Sequence, residues 1–256
     1  MPRLVLFALT FGILSLGFSA IAHGQADVKT LHIAAASDLQ PVLPTLATAY
    51  ERQTGVKIVA SFGSSATLAQ QLTNGDPQDV FLSADTVHPQ QLVSAGLATG
   101  LVPYARGVLV LWARSDSPAQ PLSLDALSSD KVQKIAVAND LHAPYGLAAT
   151  SALKALGLYD RLKAKLVVGE NISQTAEFAL SGNAQTGLIS LTIASSRPYR
   201  EAGSFVAVPK VYPEIRQSGV VITSSKQRQA AQAFLQWLTS APIQQSLTSF
   251  GLDPTK

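Results

Sequence analysis

Residues 30–83 alternate between strand-like and helix-like patterns, and this alternation constrains the fold more than any other feature of the chain. Three apolar, strand-like runs (30–36, 56–62 and 79–83) are separated by two segments, 40–54 and 66–74, whose apolar residues recur at helical spacing. A glycine follows each helical segment, where a helix usually ends. The order β-α-β-α-β predicts a mainly parallel sheet with helices on both faces.

The rest of the chain continues in the same way and holds too many elements for one compact sheet. Further strands are predicted at 107–113, 134–138, 166–168, 187–191, 205–208 and 219–223, and further helices at 89–95, 146–156, 175–180, 227–239 and 242–250. We therefore expect an α/β protein of two lobes, each a mainly parallel sheet flanked by helices. The expected boundaries are 27–105 with 211–256 for lobe 1, and 106–210 for lobe 2.

The connections between the lobes are expected to be strands, because the sequence has no Gly/Ser-rich linker. The best candidates are 103–106 and 209–213, since proline limits strand pairing and both contain it. In open α/β sheets, ligands bind at the carboxyl ends of the strands. The predicted ligand cleft therefore lies between the lobes, at those strand ends.

The N-terminus resembles a targeting segment. Residues 1–26 combine a short basic start, an apolar stretch over 4–22, and small residues suited to cleavage after Ala22 or Ala26. We interpret them as a secretory signal peptide, which predicts a soluble periplasmic protein. The alternative is an uncut membrane anchor, because the apolar stretch is long enough to span a bilayer.

Composition excludes several classes of chemistry. The chain has no cysteine, so it has no thiolate metal site, no cysteine nucleophile and no lipidated N-terminal cysteine. The formal charge is +3, with the basic residues spread singly, so nucleic acid is not an expected partner. The four histidines lack the spacing of metal ligands, so a histidine metal site is not expected either.

Serines stand at two of the predicted strand-to-helix turns. Ser37 follows the first strand, and Ser64 and Ser65 follow the second. A hydroxyl beside the free N–H groups of a helix start can bind an anion. The simpler interpretation is helix N-capping, which serine performs with no ligand present. From the residues alone both interpretations stay open.

Two later loops repeat the arrangement of a strand end followed by a helix start, at 142–146 and 170–175. Together the four loops predict a pocket for one small oxyanion. A secreted serine hydrolase using Ser37 or Ser65 is an alternative from another class. The sequence lacks a Gly-x-Ser-x-Gly elbow, and nothing in it places His142 beside either serine as a base.

The motifs at 34–37, 62–68, 79–85 and 143–146, with the segment 170–191, resemble the periplasmic molybdate-binding proteins of ABC transporters. The resemblance covers essentially the whole chain after the N-terminal segment, in the same order. It implies a type II periplasmic-binding fold that closes on molybdate or tungstate. It also implies a binding protein that is no enzyme, uses no cofactor, acts as a monomer and delivers its ligand to a membrane permease.

The resemblance also implies which residues bind the oxyanion. The site would use the Ser37 and Ser65 hydroxyls with the backbone N–H groups of Tyr145 and Ile172, and Ser64 lies next to the second serine. Some relatives add a tyrosine hydroxyl where this chain carries Ser190, which could donate instead. A receptor for sulfate, another anion or a ferric complex, and a ligand sensor that signals, are the remaining alternatives.

Overall fold

The computed structural model describes residues 29–255, whose strands form two sheets. In chain order the strands are β1 (Thr30–Ala36), β2 (Lys57–Gly63), β3 (Val80–Ser83), β4 (Ala98–Gly107), β5 (Leu109–Arg114), β6 (Ile135–Ala138), β7 (Leu166–Gly169), β8 (Thr186–Ser190), β9 (Gly203–Ala207), β10 (Ile215–Ile222) and β11 (Leu252–Asp253). The first sheet has the order β11-β4-β10-β3-β1-β2, and the second has the order β7-β6-β8-β5-β9. With the helices packed on them, we call them the first and second lobes.

The helices cover both sheets. They are α1 (Leu43–Thr54), α2 (Ser65–Thr73), α3 (Val87–Ser94), α4 (Pro144–Ala155), α5 (Tyr159–Leu162), α6 (Ile172–Leu180), α7 (Leu191–Ala194), α8 (Arg197–Ala202), α9 (Arg228–Leu238) and α10 (Ala241–Ser246). The helix predicted at 40–54 begins three residues late, because a 3₁₀ turn at Ser37–Leu39 and Pro41 come first. It ends as predicted at Gly55, whose φ of 73° suits glycine.

The two-lobed α/β prediction is confirmed, but the sheets are mixed rather than mainly parallel. Parallel pairing is confined to β1 with β2 and β3, and to β6 with β7 and β8. The other pairs of the described strands are antiparallel. The reason is topological: the chain leaves the first lobe along β4 and returns along β10, so these strands lie side by side in opposite directions.

The chain passes between the sheets twice. Val108 alone separates β4 from β5, and residues 208–214, which include the predicted crossing at 209–213, separate β9 from β10. The other predicted crossing, 103–106, lies inside β4. Its proline is accommodated where the register between β4 and β10 shifts, between Gln217 and Ser218.

Apolar packing fixes the strand ends that face the cleft. The strands β1 and β6, each second from the edge of its sheet, are buried at five of seven and at all four residues, respectively. The core of the first lobe includes Tyr50 packed edge-on against Phe234, and the core of the second includes Trp112. The two cores meet at Ala36 and Ala84. Ala36 ends β1 and Ala84 follows β3, both in the first sheet, but both residues pack with the core of the second lobe. The carboxyl ends of the strands in both lobes therefore approach one another.

The predicted signal peptide, residues 1–26, lies outside the described residues. Within residues 29–255, no helix is long and apolar enough to cross a membrane.

Candidate functional site

The four loops singled out in the sequence meet around one small cavity between the lobes. The first lobe supplies the turns after β1, β2 and β3, and the second supplies the starts of α4 and α6. The residues that line the cavity are Ala36, Ser37, Asp38, Gly63, Ser64, Ser65, Ala84, Ala143, Pro144, Tyr145 and Ile172. The structure thus brings Ser37, Ser64, Ser65, Tyr145 and Ile172 together.

Ser37 begins the 3₁₀ turn that follows β1, and only 4% of its surface is exposed. Its hydroxyl forms no hydrogen bond with any residue between 29 and 255, whereas its carbonyl accepts a bond from the Ser173 hydroxyl at 3.0 Å. The Ser37 hydroxyl is therefore available to a ligand in the cavity.

Ser64 and Ser65 stand side by side at the start of α2 but have different partners. The Ser64 hydroxyl donates to Thr67 Oγ1 at 2.6 Å and accepts from the Thr67 N–H at 3.3 Å, so Ser64 is the N-cap. The Ser65 hydroxyl oxygen accepts the Ala84 N–H at 3.1 Å. Since that bond uses only a lone pair, the Ser65 hydroxyl proton remains free to donate.

Helix starts supply the second lobe's side of the cavity. Tyr145 is in the first turn of α4, after Pro144, and Ile172 is the first residue of α6, whose cap is the Asn171 side chain. The first N–H groups of a helix have no intrahelical acceptor. Among residues 29–255, the N–H groups of Tyr145 and Ile172 also meet no other acceptor. They are donors beside the cavity, strengthened by the helix dipoles.

Ser190 lies apart from these residues. It is fully buried at the end of β8, outside the cavity lining, and it caps α7 by accepting the Ile193 N–H at 3.4 Å. Its hydroxyl also shares a hydrogen bond of 2.8 Å with Thr192. The structure therefore does not bring Ser190 to the cavity with Ser37 and Ser65.

Asp38 is a cavity residue that the sequence analysis missed. It is completely buried, and its Oδ2 accepts a bond from the Tyr145 hydroxyl at 3.1 Å and one from the Gln217 amide at 2.5 Å. Burial raises the pKa of Asp38 to about 7, and the two hydrogen bonds only partly oppose this. The available clue is a charged residue two positions after the apolar strand 30–36.

None of the described residues that line the cavity is a lysine, arginine or histidine. His142 stands at the rim, with its Nδ1 2.8 Å from Glu170 Oε1. Its carbonyl accepts the Ala66 N–H of the first lobe at 3.1 Å, so the lobes touch there. No cluster of three or more metal-binding side chains occurs in the described part of the chain. The arrangement suits a ligand that needs neutral hydrogen-bond donors.

Two α/β lobes that meet across a cleft at their strand ends form the architecture of proteins that close on a small solute. The chain belongs to the bacterial extracellular solute-binding protein family, whose model matches residues 31–253.

Particular relatives narrow the comparison. The molybdate-binding protein ModA of Azotobacter vinelandii is 32% identical over 252 residues, which is 96% of this chain and 98% of the relative. The solved structure of the Azotobacter vinelandii periplasmic molybdate-binding protein superposes with a TM-score of 0.82 at 30% identity, covering 88% of this chain and all of that one. ModA of Rhodobacter capsulatus is 35% identical over 208 residues, or 79% of each chain. An aconitate isomerase from Pseudomonas is similar at 24% identity, over 99% of this chain and 97% of its own.

Proposed function

We propose that this protein captures molybdate, and tungstate in the same site, and delivers the anion to the membrane permease of an ABC transporter. The observation that carries the proposal is the cavity itself: hydroxyl and N–H donors converge on it from both lobes, and none of the described residues that line it has a cationic side chain. The molybdate-binding relatives match this chain over nearly its whole length, which supports the same ligand class.

Four residues form the proposed binding set. Ser37 and Ser65 donate through their hydroxyls, and Tyr145 and Ile172 donate through their backbone N–H groups. Ser64 lines the cavity, but its hydroxyl is used in capping α2, so it contributes chiefly by orienting the turn. A tetrahedral dianion offers oxygens to all four donors, and each hydrogen bond to a charged acceptor contributes about 1.5–3 kcal/mol.

Selectivity in such a site comes from the size of the ligand. Fixed donors set for a large oxyanion make longer, weaker bonds to the smaller sulfate and phosphate. Asp38 Oδ2 is engaged by two hydrogen bonds, whereas its buried Oδ1 has no partner among residues 29–255. We therefore expect discrimination by size and not by rejection of a protonated ligand.

Isothermal titration calorimetry with molybdate, tungstate, sulfate and phosphate tests this proposal. We expect tight one-to-one binding of the first two and binding of the others weaker by about a hundredfold or more, which corresponds to roughly 3 kcal/mol of lost donor contacts. Tight binding of sulfate without binding of molybdate would change the assigned ligand, but the protein would still be an oxyanion-binding receptor. No binding of any oxyanion would contradict the proposed function.

The same proposal includes a cellular setting: export by the N-terminal signal peptide, a monomer in the periplasm, and docking on the permease. Mass spectrometry of the N-terminus of the secreted protein tests export, with cleavage expected after Ala22 or Ala26. A molar mass of one chain in light scattering tests the monomer. Stimulation of the transporter's ATPase by the molybdate-loaded protein tests docking.

The proposed role is that of a receptor and not of an enzyme, although an isomerase is among the distant relatives of this protein. Incubation with generic esters and with aconitate should give no turnover, and a serine-reactive phosphonate should label neither Ser37 nor Ser65. Turnover that disappears in Ser37→Ala or Ser65→Ala would instead assign a catalytic role to these serines.

A further inference from the structure

Tyr145 joins two places in the molecule. Its backbone N–H lies beside the cavity, while its phenol is buried and donates to Asp38 Oδ2 across the cleft. Gly107, the last residue of β4 before the chain crosses to the second lobe, lies directly against this phenol, because a Cβ there would collide with the Tyr145 hydroxyl. One residue of the second lobe thus connects the cavity with the crossing strands.

Asp38 is held from two directions. Tyr145 reaches it from α4 of the second lobe, and Gln217 reaches it from β10, the strand that returns from the second lobe. Gln217 Nε2 also lies 3.4 Å from the Tyr145 hydroxyl, so the three side chains form one buried group. Gln217 stands at a register shift between β10 and β4, which falls between Gln217 and Ser218.

We propose that Asp38 and the Tyr145 hydroxyl form an interlobe latch, in which the Asp38 carboxyl positions Tyr145 and holds the cleft closed around the bound anion. This inference rests on the proposed function, since the latch acts on anion binding. Asp38 is a positioning residue here: it acts through Tyr145, and the ligand is held by the four donors named above. Opening the cleft would separate the phenol from the carboxyl and leave both without this partner.

The competing explanation is that the bond only stabilises the fold, and the chain offers a matched control for it. Tyr104 is as deeply buried as Tyr145, and its hydroxyl donates to the Ser83 carbonyl at 3.1 Å. That bond joins β4 to the end of β3 within the first lobe. Tyr104→Phe and Tyr145→Phe therefore each remove a phenol hydroxyl from an equally buried site. The hydrogen bond lost lies within one lobe for Tyr104 and between the lobes for Tyr145.

The experiment compares the parent, Tyr104→Phe and Tyr145→Phe by molybdate calorimetry, stopped-flow dissociation and urea unfolding. We expect both variants to lose similar stability. Tyr145→Phe should bind about fivefold to tenfold more weakly, chiefly through faster dissociation, and Tyr104→Phe should stay within about twofold of the parent. Equal affinities for the two variants would overturn the latch.

Conservative replacement of Asp38 supplies a second measurement. Asp38→Asn keeps an oxygen that can accept the Tyr145 hydroxyl, whereas Asp38→Ala removes it. We expect the asparagine variant to bind within about threefold of the parent and the alanine variant to match Tyr145→Phe. Equal losses in both Asp38 variants would also overturn the latch. If Asp38→Ala does not fold, the tyrosine pair alone decides the question.

The parent protein separates this inference from the proposed function. A parent that binds no oxyanion contradicts the function. A parent that binds molybdate tightly while Tyr145→Phe binds equally well contradicts only the latch. Small-angle scattering of the molybdate-loaded proteins adds a direct view, because the latch predicts a larger radius of gyration for Tyr145→Phe than for Tyr104→Phe.

Discussion

The Ser65 hydroxyl accepts the Ala84 N–H at 3.1 Å, and this bond ties the start of α2 to the turn that follows β3. Both residues line the cavity, so one side chain supports its wall and offers a proton to its interior. The neighbouring Ser64 spends its hydroxyl on Thr67, within its own helix turn. We therefore expect the two adjacent serines to have different roles: Ser65 binds the ligand and Ser64 caps the helix.

Ser65→Ala should weaken molybdate binding by about tenfold or more and also reduce stability by about 1–2 kcal/mol, because the buried Ala84 N–H loses its acceptor. Calorimetry and urea unfolding measure the two effects. Ser190→Ala is the matched control, since Ser190 is a serine as buried as Ser65 that caps α7 outside the cavity. It should lose about 1 kcal/mol of stability with unchanged affinity. Unchanged affinity in Ser65→Ala would remove Ser65 from the binding set.

Ser37→Ala should separate binding from stability more cleanly. The Ser37 hydroxyl has no partner among residues 29–255, so its removal should change the urea midpoint little while weakening molybdate binding by about tenfold. The same titration on Ser173→Ala is the control. Ser173 donates to the Ser37 carbonyl and lies outside the cavity lining, so this variant alters the surroundings of Ser37 but keeps the Ser37 hydroxyl. Equal affinity in Ser37→Ala and the parent would place the ligand elsewhere.

The sequence was sufficient to predict the fold class and to bring the four loops together, because strand ends and helix starts are local patterns. It does not predict β4, because the sequence favours a crossing at 103–106, and Pro103 is tolerated in the strand only through a register shift with a strand more than 100 residues away. The contacts of Asp38 with Gln217 and Tyr145 are not predicted for the same reason. They span 179 and 107 positions, and no local pattern shows that a carboxyl in a turn will be enclosed by such distant side chains.

Gly107→Ala should disturb the cleft from outside the cavity. A Cβ at this position would collide with the Tyr145 hydroxyl and lie 2.9 Å from Ile215 Cγ2, and both atoms belong to buried side chains. Displacing the phenol would weaken its bond to Asp38, so we expect about fivefold weaker molybdate binding together with lower stability. In Gly107→Ala combined with Tyr145→Phe, where the hydroxyl is already absent, the affinity losses should not add. Additive losses would show that the two positions act independently.

Asp38 should make the stability of the protein depend on pH in the direction opposite to that of most carboxylates. Burial raises its pKa to about 7, whereas an aspartate in an unfolded chain titrates near 4. Between these values the folded protein keeps a proton that the unfolded chain releases, so the free energy of unfolding falls as pH rises through this window. The contribution is full below about pH 4 and is lost above about pH 7.

Urea unfolding of the parent and of Asp38→Asn, from about pH 4.5 to pH 8, measures this contribution, because the asparagine variant cannot lose a proton at this position. Relative to the variant, the parent should lose about 2–4 kcal/mol across the range. Asp116→Asn is the control: Asp116 is exposed, and its hydrogen bond to Arg114 lowers its pKa. A constant difference between the parent and Asp38→Asn at every pH would mean that Asp38 stays ionised in the folded protein.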